Sequence, residues 1–255
     1  MKIAFISDIH EDVINLARAF RMIEKLKCDE IVCLGDIVGF CVPYYKYIDT
    51  RDANACIKLI SENAKYVVAG NHDHFALRKL PSFTDGHEIP GNWYELPFPV
   101  RRQMFEPGIW LYEDNELSAL LSESAAQYLN DLPEYITVNL GKHKFLLSHY
   151  LYPDITGFTK NFYLSDKEFR PHFEFMEKQN AGMAVFGHTH PDGLSVISKQ
   201  VALSYIRKKT FLPEYINGIG VPAITSSSRL PGFAIFNTDD NKFEVYSLNS
   251  RFKVF

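Results

Sequence analysis

The chain has 255 residues, with 27 Lys and Arg against 31 Asp and Glu, a formal net charge of −4, and 46% hydrophobic beside 23% charged residues. That length allows one large domain or two small ones, the apolar share excludes disorder, and the acidic balance argues against a coat for nucleic-acid backbone, which needs a cationic excess. No run approaches the roughly 18 apolar residues of a membrane span, and the N-terminal MKIAFISDIH is too short for a secretory leader. Cys28, Cys33, Cys41 and Cys56 form no CxxC pair, so reduced thiols and a cytoplasmic location are expected.

No internal repeat or Pro/Ser-rich linker divides the chain, and a single domain over residues 1–255 is expected. Residues 2–7, β-branched and aromatic, read as a buried strand. Val13, Leu16, Phe20, Ile23 and Leu26 recur at helical spacing over residues 13–26. A strand at 31–34 stops at Gly35-Asp36, a helix follows around 52–62, and a strand at 66–69 stops at Gly70-Asn71. This alternation predicts right-handed βαβ crossovers and a largely parallel sheet.

Residues 74–121 are interrupted by Pro81, Pro90, Pro97, Pro99 and Pro107 and carry Trp93, Phe98, Phe105 and Trp110. They read as a loop-rich cover, either over the sheet edge or as part of a pocket wall. Ser122 is a candidate N-cap for a helix ending before Pro133. Residues 135–140 and 143–147, joined through Gly141-Lys142, read as a hairpin. A helix lies within 165–180, where Ser165 with Glu168 resembles a capping box and Pro171 fits a first turn; its start stays open. Strands are expected at 183–186, 194–198, 201–205, 232–237 and 243–247, the last ones antiparallel, so the sheet is mixed or doubled.

Five clusters share one design, a short apolar strand followed by metal-ligand residue types: Asp8-x-His10, Gly35-Asp36, Gly70-Asn71-His72-Asp73, Ser148-His149 and Gly187-His188-Thr189-His190. At the carboxyl ends of parallel strands such residues converge on one crevice. A set of His and Asp suits Zn, Mn, Fe or Ni, whereas an all-oxygen set suits Ca or Mg. Taken singly, Asp-x-His, Gly-Asp and Ser-His read as surface, turn and capping residues. Gly-Asn-His-Asp and Gly-His-Thr-His each arise by chance on the order of once in a thousand such chains. Their joint occurrence, in order and each after a strand, points to a metal site.

With these motifs in view, residues 3–190 resemble the calcineurin-like metallophosphoesterase superfamily, whose pattern is D-x-H, G-D, G-N-H-[D/E], H and G-H-x-H in this order. Gly35-Asp36-Ile37-Val38-Gly39-Phe40 is similar to the small bacterial and archaeal branch of predicted phosphodiesterases, and the G-D-x-V-D-R-G form of the Ser/Thr phosphatases is absent. The resemblance implies an α/β (α+β, four-layer) fold in which two packed mixed β-sheets are flanked by helices, an αββα sandwich. It implies two divalent or trivalent transition-metal ions. Asp8, His10, Asp36 and His190 hold one, and Asp36, Asn71, His149 and His188 the other, with Asp36 bridging through its two oxygens.

The resemblance further implies hydrolysis of a small phosphomonoester or phosphodiester by a metal-bridging hydroxide, with His72 as the acid at the leaving oxygen and Asp73 fixing its tautomer. Two cations, two carboxylates and a hydroxide leave a net positive centre, so an acidic protein still attracts phosphate locally. A small phosphorylated substrate is the expected partner, with neither membrane nor nucleic-acid polymer. Two other readings compete, a non-catalytic metal-site scaffold for protein partners and a nuclease. His74 is expected beside the site or at the surface; His87, His143 and His172 are given no role. Tyr150 after the ligand histidine, where relatives often carry glycine, either narrows the pocket or packs. The aromatic segment 152–175 is expected to pack or to stack on a ligand, and Arg207-Lys208-Lys209 to be solvated or a phosphate-facing rim.

Overall fold

A computed structural model describes residues 1–105, 108–198, 203–206, 210–211 and 216–248, with side chains undescribed at 105, 203–206, 210–211 and 216–217. In chain order the elements are β1 (Lys2–Ile6), α1 (Val13–Lys25), β2 (Glu30–Cys33), β3 (Phe40–Cys41), α2 (Ala53–Asn63), β4 (Tyr66–Val67), α3 (Asn71–Ala76), α4 (Phe98–Phe105), β5 (Glu116–Leu117) and α5 (Glu123–Asn130). The second half adds β6 (Tyr135–Leu140), β7 (His143–Ser148), α6 (Asp166–Lys178), β8 (Met183–Phe186), β9 (Leu194–Ser198), β10 (Leu203–Ile206), β11 (Thr210–Phe211), β12 (Ile216–Gly220), β13 (Gly232–Asn237) and β14 (Lys242–Ser247).

Two six-stranded sheets result, in the orders β11-β14-β13-β1-β2-β4 and β10-β9-β12-β8-β7-β6. Both are mixed. β1, β2 and β4 run parallel while β13 pairs antiparallel with β1; β7, β8 and β12 run parallel while β6 and β9 pair antiparallel. Strand periodicity explains the layering, because successive side chains point to opposite faces. Ile3 and Phe5 of β1 face the second sheet and meet Phe145, Leu147 and Val185 there. Ala4 and Ile6 face outward onto Leu16, Ala19 and Ile23 of α1 and Ile57 and Ile60 of α2. On the far side, Leu146, Ala184 and Phe186 pack against Phe169, Phe173 and Met176 of α6. The expected four-layer αββα sandwich is therefore present, with one core between the sheets and one outside each.

The helix starts follow capping chemistry. Asp12, Asp52 and Ser122 accept from the backbone N–H three residues on, opening α1, α2 and α5. For α6 the capping reading holds: the Glu168 carboxylate accepts the Ser165 and Leu164 N–H groups, and Pro171 lies inside the helix. Three elements depart from expectation. β12, the Gly-containing INGIG, is not among the expected strands and is held between β8 and β9. α4 forms across Pro99, since a proline in the first turn gives up no needed donor. The segment 74–121 builds its own small core of Trp93, Ile109, Leu111 and Phe158, with buried Arg101 over the Trp93 ring and ion-paired to Glu113. Of the strand expected at 201–205, residues 203–206 are seen as β10; Arg207-Lys208-Lys209 lies outside the described residues.

Candidate metal centre

β1, β2, β7 and β8 end on one rim where the two sheets meet, and their continuations carry the candidate ligands. The chain turns sharply at each: Asp8, His10, Asp36, His188 and His190 all take left-handed backbone conformations, with φ between 42° and 63°. Such conformations cost about 1–3 kcal/mol each in non-glycine residues and persist only where the surroundings enforce them. Here the loops bond one another, Asp8 N to Gly35 O at 3.0 Å, Ile9 N to Asp36 O at 2.8 Å and His10 N to Asp36 O at 3.0 Å. The third loop is clamped on the first. A Cβ at Gly187 would collide with Ser7 Oγ and lie 2.7 Å from Asp8 Oδ2, so only glycine lets β8 come this close to β1.

The histidine rings are oriented by backbone carbonyls. His10 Nδ1 lies 2.8 Å from Gly39 O and His149 Nδ1 2.6 Å from Leu34 O, which turns both Nε2 atoms into the centre. Tyr112 does the same for Asn71: its hydroxyl accepts from Nδ2 at 2.7 Å and leaves Oδ1 facing inward. Asp8 and Asp36 are fully buried. His190 Nε2 lies 3.0 Å from Asp8 Oδ1, and His149 Nε2 lies 3.1 Å from Asp36 Oδ2 and 3.8 Å from Asp8 Oδ1. Among the described residues four groups gather ligand atoms within 4.8 Å of one another: Asp8-His10-His190, Asp36-His149-His188, His10-Asp36-His72 and Cys41-His72-Glu116; the first two match the expected ligand sets.

The donor set fits cations. His10 Nε2, Asn71 Oδ1 and His188 Nε2 are buried and make no hydrogen bond, while the buried His149 Nε2 faces Asp36 Oδ2 at 3.1 Å. Burial drives the His10 and His188 pKa values down to about 3, so both rings are neutral and able to ligate. Burial alone pushes the Asp8 and Asp36 carboxyls up, but His190 beside Asp8 and His149 and His72 beside Asp36 hold both well below the ordinary range. His149 differs from His10 and His188: burial opposes its charge, but Asp36 and Asp8 outweigh it and raise its pKa to about 10, so a cation bound there displaces a proton. Imidazole nitrogens freed of their protons, an amide oxygen and ionised carboxylates are what a transition-metal cation requires.

The structure revises two expectations. Asp36 does not present two free oxygens: Oδ1 accepts the His72 backbone N–H at 2.9 Å, and Oδ2 alone faces His149, His10 at 3.8 Å and His72 at 4.0 Å. Asp73 does not touch the His72 ring. Its oxygens accept the Ile37, Val38 and Gly70 N–H groups at 2.9, 3.1 and 3.0 Å, because neighbouring side chains on a helix diverge and Asp73 turns back over the first turn of α3. Burial and then Asp36 push its carboxyl up to about 7. The carboxylate on His72 Nδ1 is Glu116, 2.5 Å away. Burial opposes charge on His72, yet Glu116 and Asp36 outweigh it and raise its pKa to about 9.

Above the centre lies a cleft of about 310 Å³ lined by His10, Asp36, Asn71, His72, His188 and His190. Trp110, Leu111, Tyr112 and Asn115 of the cover form one wall and Ser227, Ser228 and Arg229 another, which favours the pocket-wall reading of the cover. Tyr150 packs instead of narrowing the mouth: it is 1% exposed, its ring lies 4.7 Å from His188 and its hydroxyl accepts the Tyr163 N–H. From the aromatic segment, Phe158, Phe169 and Phe173 are buried, whereas Phe162 stacks on His188 at 5.2 Å and lines the cleft. His74 is buried away from the cleft, and His172 is a buried acceptor for the Tyr152 N–H. Tyr112 and Glu116 are the site residues that sequence patterning missed. Neither carries a local signal, and their partners lie 41 and 44 residues away along the chain.

The sequence model of the calcineurin-like phosphoesterase superfamily domain matches residues 1–206. Among curated proteins the chain is similar to an uncharacterized protein of Methanocaldococcus jannaschii, 27% identical over 164 residues. That match covers 60% of this chain and 54% of the relative, about half the relative's length. Among solved structures it resembles a metallophosphoesterase from Sphaerobacter thermophilus with a TM-score of 0.67 at 20% identity, covering 98% of this chain and 89% of that one. It also resembles a hypothetical protein from Pyrococcus horikoshii, with a TM-score of 0.56 at 16% identity over 96% and 87% of the two chains. At these identities the likeness is one of fold.

Proposed function

This chain belongs to the calcineurin-like phosphoesterase superfamily, and from that premise we propose that it hydrolyses a small phosphomonoester or phosphodiester in the cleft above Asp36 with the help of bound metal. The observation that supports this most directly is the set of three buried, unbonded ligand atoms on His10, Asn71 and His188, gathered with His149 around two ionised carboxylates beneath an open cleft. In this reading Asp8, His10, Asp36 and His190 hold one transition-metal ion and Asp36, Asn71, His149 and His188 a second, from the Mn, Fe, Zn or Ni class. When bound, such cations neutralise phosphoryl oxygens and bring the pKa of water toward neutrality.

The chain's own residues supply the rest. The Gly39 and Leu34 carbonyls keep the His10 and His149 rings turned inward, and Tyr112 keeps the Asn71 amide oxygen on the same side. His72, protonated at neutral pH, has Nε2 toward Asp36 and the cleft, where it donates its proton to the departing oxygen. A scaffold has no use for a protonated histidine above an open cleft. A nuclease wants a cationic groove, and among the described residues lining this one Arg229 is the sole Lys or Arg, itself 3.6 Å from Asp192. A cytoplasmic setting follows from the four unpaired thiols and is part of the same reading.

The test is turnover by metal-reconstituted protein on an aryl phosphomonoester, a bis-aryl phosphodiester, cyclic and linear nucleotides, and single-stranded DNA. Turnover of a small ester, abolished by chelation, is expected. Retained metal with no turnover on any of them would instead establish the scaffold reading, and preference for the DNA the nuclease reading.

A further inference from the structure

Glu116 sits on β5, in the segment whose sequence reads only as cover, and its side chain is 1% exposed. A carboxylate removed from water needs a compensating partner. Arg101 and Arg102 of the same segment pair elsewhere, with Glu113 and Asp114. Glu116 Oε2 has instead His72 Nδ1 at 2.5 Å and the Cys41 thiol, a weak donor, at 3.9 Å. The other carboxylates around the ring are committed. Asp73 accepts three backbone N–H groups, Glu11 accepts Gly39 N and lies 3.5 Å from Arg51, and Asp36 accepts the backbone N–H of His72 itself.

The ring is also unable to swing away. Gly39, at φ +99°, approaches so closely that a Cβ there would lie 2.5–2.7 Å from His72 Cβ, Nδ1 and Cγ. The His10 and Tyr112 rings abut it edge-on at 4.8 Å each. With Nδ1 engaged, Nε2 is left facing Asp36 Oδ2 and the cleft. Register delivers the carboxylate: Cys41 of β3 opposes Glu116 of β5, and Val42 N bonds Asn115 O at 2.9 Å.

We propose that Glu116 is the positioning residue of His72, accepting the Nδ1 proton so that one tautomer and one ring orientation hold Nε2 at the leaving oxygen. This rests on the phosphoesterase reading above. Docking of the β3–β5 ribbon and completion of the site are then one event, and the cover belongs to the catalytic unit.

Full-length Glu116→Gln, His72→Ala and the double variant, each with metal content measured, are compared on a phosphoester with a poor alkyl leaving group and on its p-nitrophenyl counterpart. Glu116→Gln is expected to keep its metal and to lose about 10–100-fold in kcat on the alkyl ester, with KM nearly unchanged. On the nitrophenyl ester, whose leaving group needs no proton, the loss is under about threefold. In the His72→Ala background Glu116→Gln costs nothing further, since the two act as a unit. Nitrogen-15 NMR of the His72 ring is expected to show Nδ1 protonated in the wild type and that signature lost in Glu116→Gln. Glu116→Asp, which keeps the charge and folds if Gln does not, is expected to recover part of the activity.

Equal losses on both esters, an additive loss in the double variant, loss of metal from the Gln variant, or activity within about twofold of wild type would each overturn the proposal. A fully active His72→Ala refutes the acid assignment of the parent reading and this inference with it. An impaired His72→Ala beside a silent Glu116→Gln removes Glu116 alone.

Discussion

Cation binding should be visible in stability before any substrate is tried. His10 Nε2, Asn71 Oδ1 and His188 Nε2 are buried without hydrogen bonds, and a buried polar group left unpaired costs about 1–3 kcal/mol. Three such atoms store about 3–9 kcal/mol, and water entering from the cleft keeps the realised value below the upper end. From the binding side, a cation present at 100 times its Kd stabilises the fold by about 2.7 kcal/mol, so two contribute about 5 kcal/mol. Both routes converge on about 5 kcal/mol. For a chain of this size that corresponds to a rise in Tm of roughly 10–20 °C. The assay is thermal unfolding of chelated protein titrated with Mn2+, Zn2+ or Ni2+, with Asp36→Asn alongside. Asp36→Asn keeps an acceptor for the His72 N–H but loses the charge facing His149 and His10, so its rise should fall to less than half. A wild-type Tm unmoved by all three cations, or an Asp36→Asn protein that responds like wild type, would refute the reasoning that these atoms form a metal centre.

His72→Ala should retain its metal and its Tm within a few degrees while losing about 10²–10⁴-fold in kcat on a poor leaving group; metal analysis and steady-state kinetics check both halves. Gly187→Ala places a methyl against Ser7 Oγ and Asp8 Oδ2 and is expected to cost about 3 kcal/mol or more, with loss of metal, in denaturant unfolding. His172, buried and held neutral with its pKa pushed down by burial from 6.5 to about 3, links stability to pH. The unfolded chain takes up a proton below pH 6.5 and the folded one does not until about pH 3, so stability is present above pH 6.5 and lost as pH falls. The contribution of this group declines by about 2 kcal/mol between pH 7 and pH 5. His172→Gln, which keeps an acceptor for the Tyr152 N–H, should show that much less acid sensitivity in urea unfolding, and an unchanged pH slope would contradict the assignment.

The site was legible where chemistry and secondary structure are encoded next to one another. Asp8-x-His10, Gly35-Asp36, Asn71, His149, His188 and His190 each follow an apolar run that can only be a strand, and the glycines mark where the backbone turns or closes in. The same logic failed between residues 74 and 121. There the prolines suppress periodicity, α4 begins across Pro99, and β5 is two residues long, paired with an equally short β3 far upstream. Glu116 is one acidic residue in a short polar stretch, and nothing nearby in sequence marks it as the partner of a histidine 44 positions earlier. The strand β12 was hidden for a related reason: Gly218 and Gly220 weaken its strand pattern, while neighbouring strands supply its order.

The amino-acid sequence by itself determined which donors are available, in what order along the chain, and that they gather at strand ends, because residue type and alternating burial are local properties. Only the tertiary structure decided what each donor faces. The Nε2 atoms of His10 and His149 point inward because carbonyls of Gly39 and Leu34, 29 and 115 residues away, hold Nδ1. Asp73 ties two loops together because its neighbour's ring lies round the helix from it, and the carboxylate behind His72 arrives on a ribbon from the cover. Orientation depends on long-range hydrogen bonds that form only once the two sheets have closed on each other.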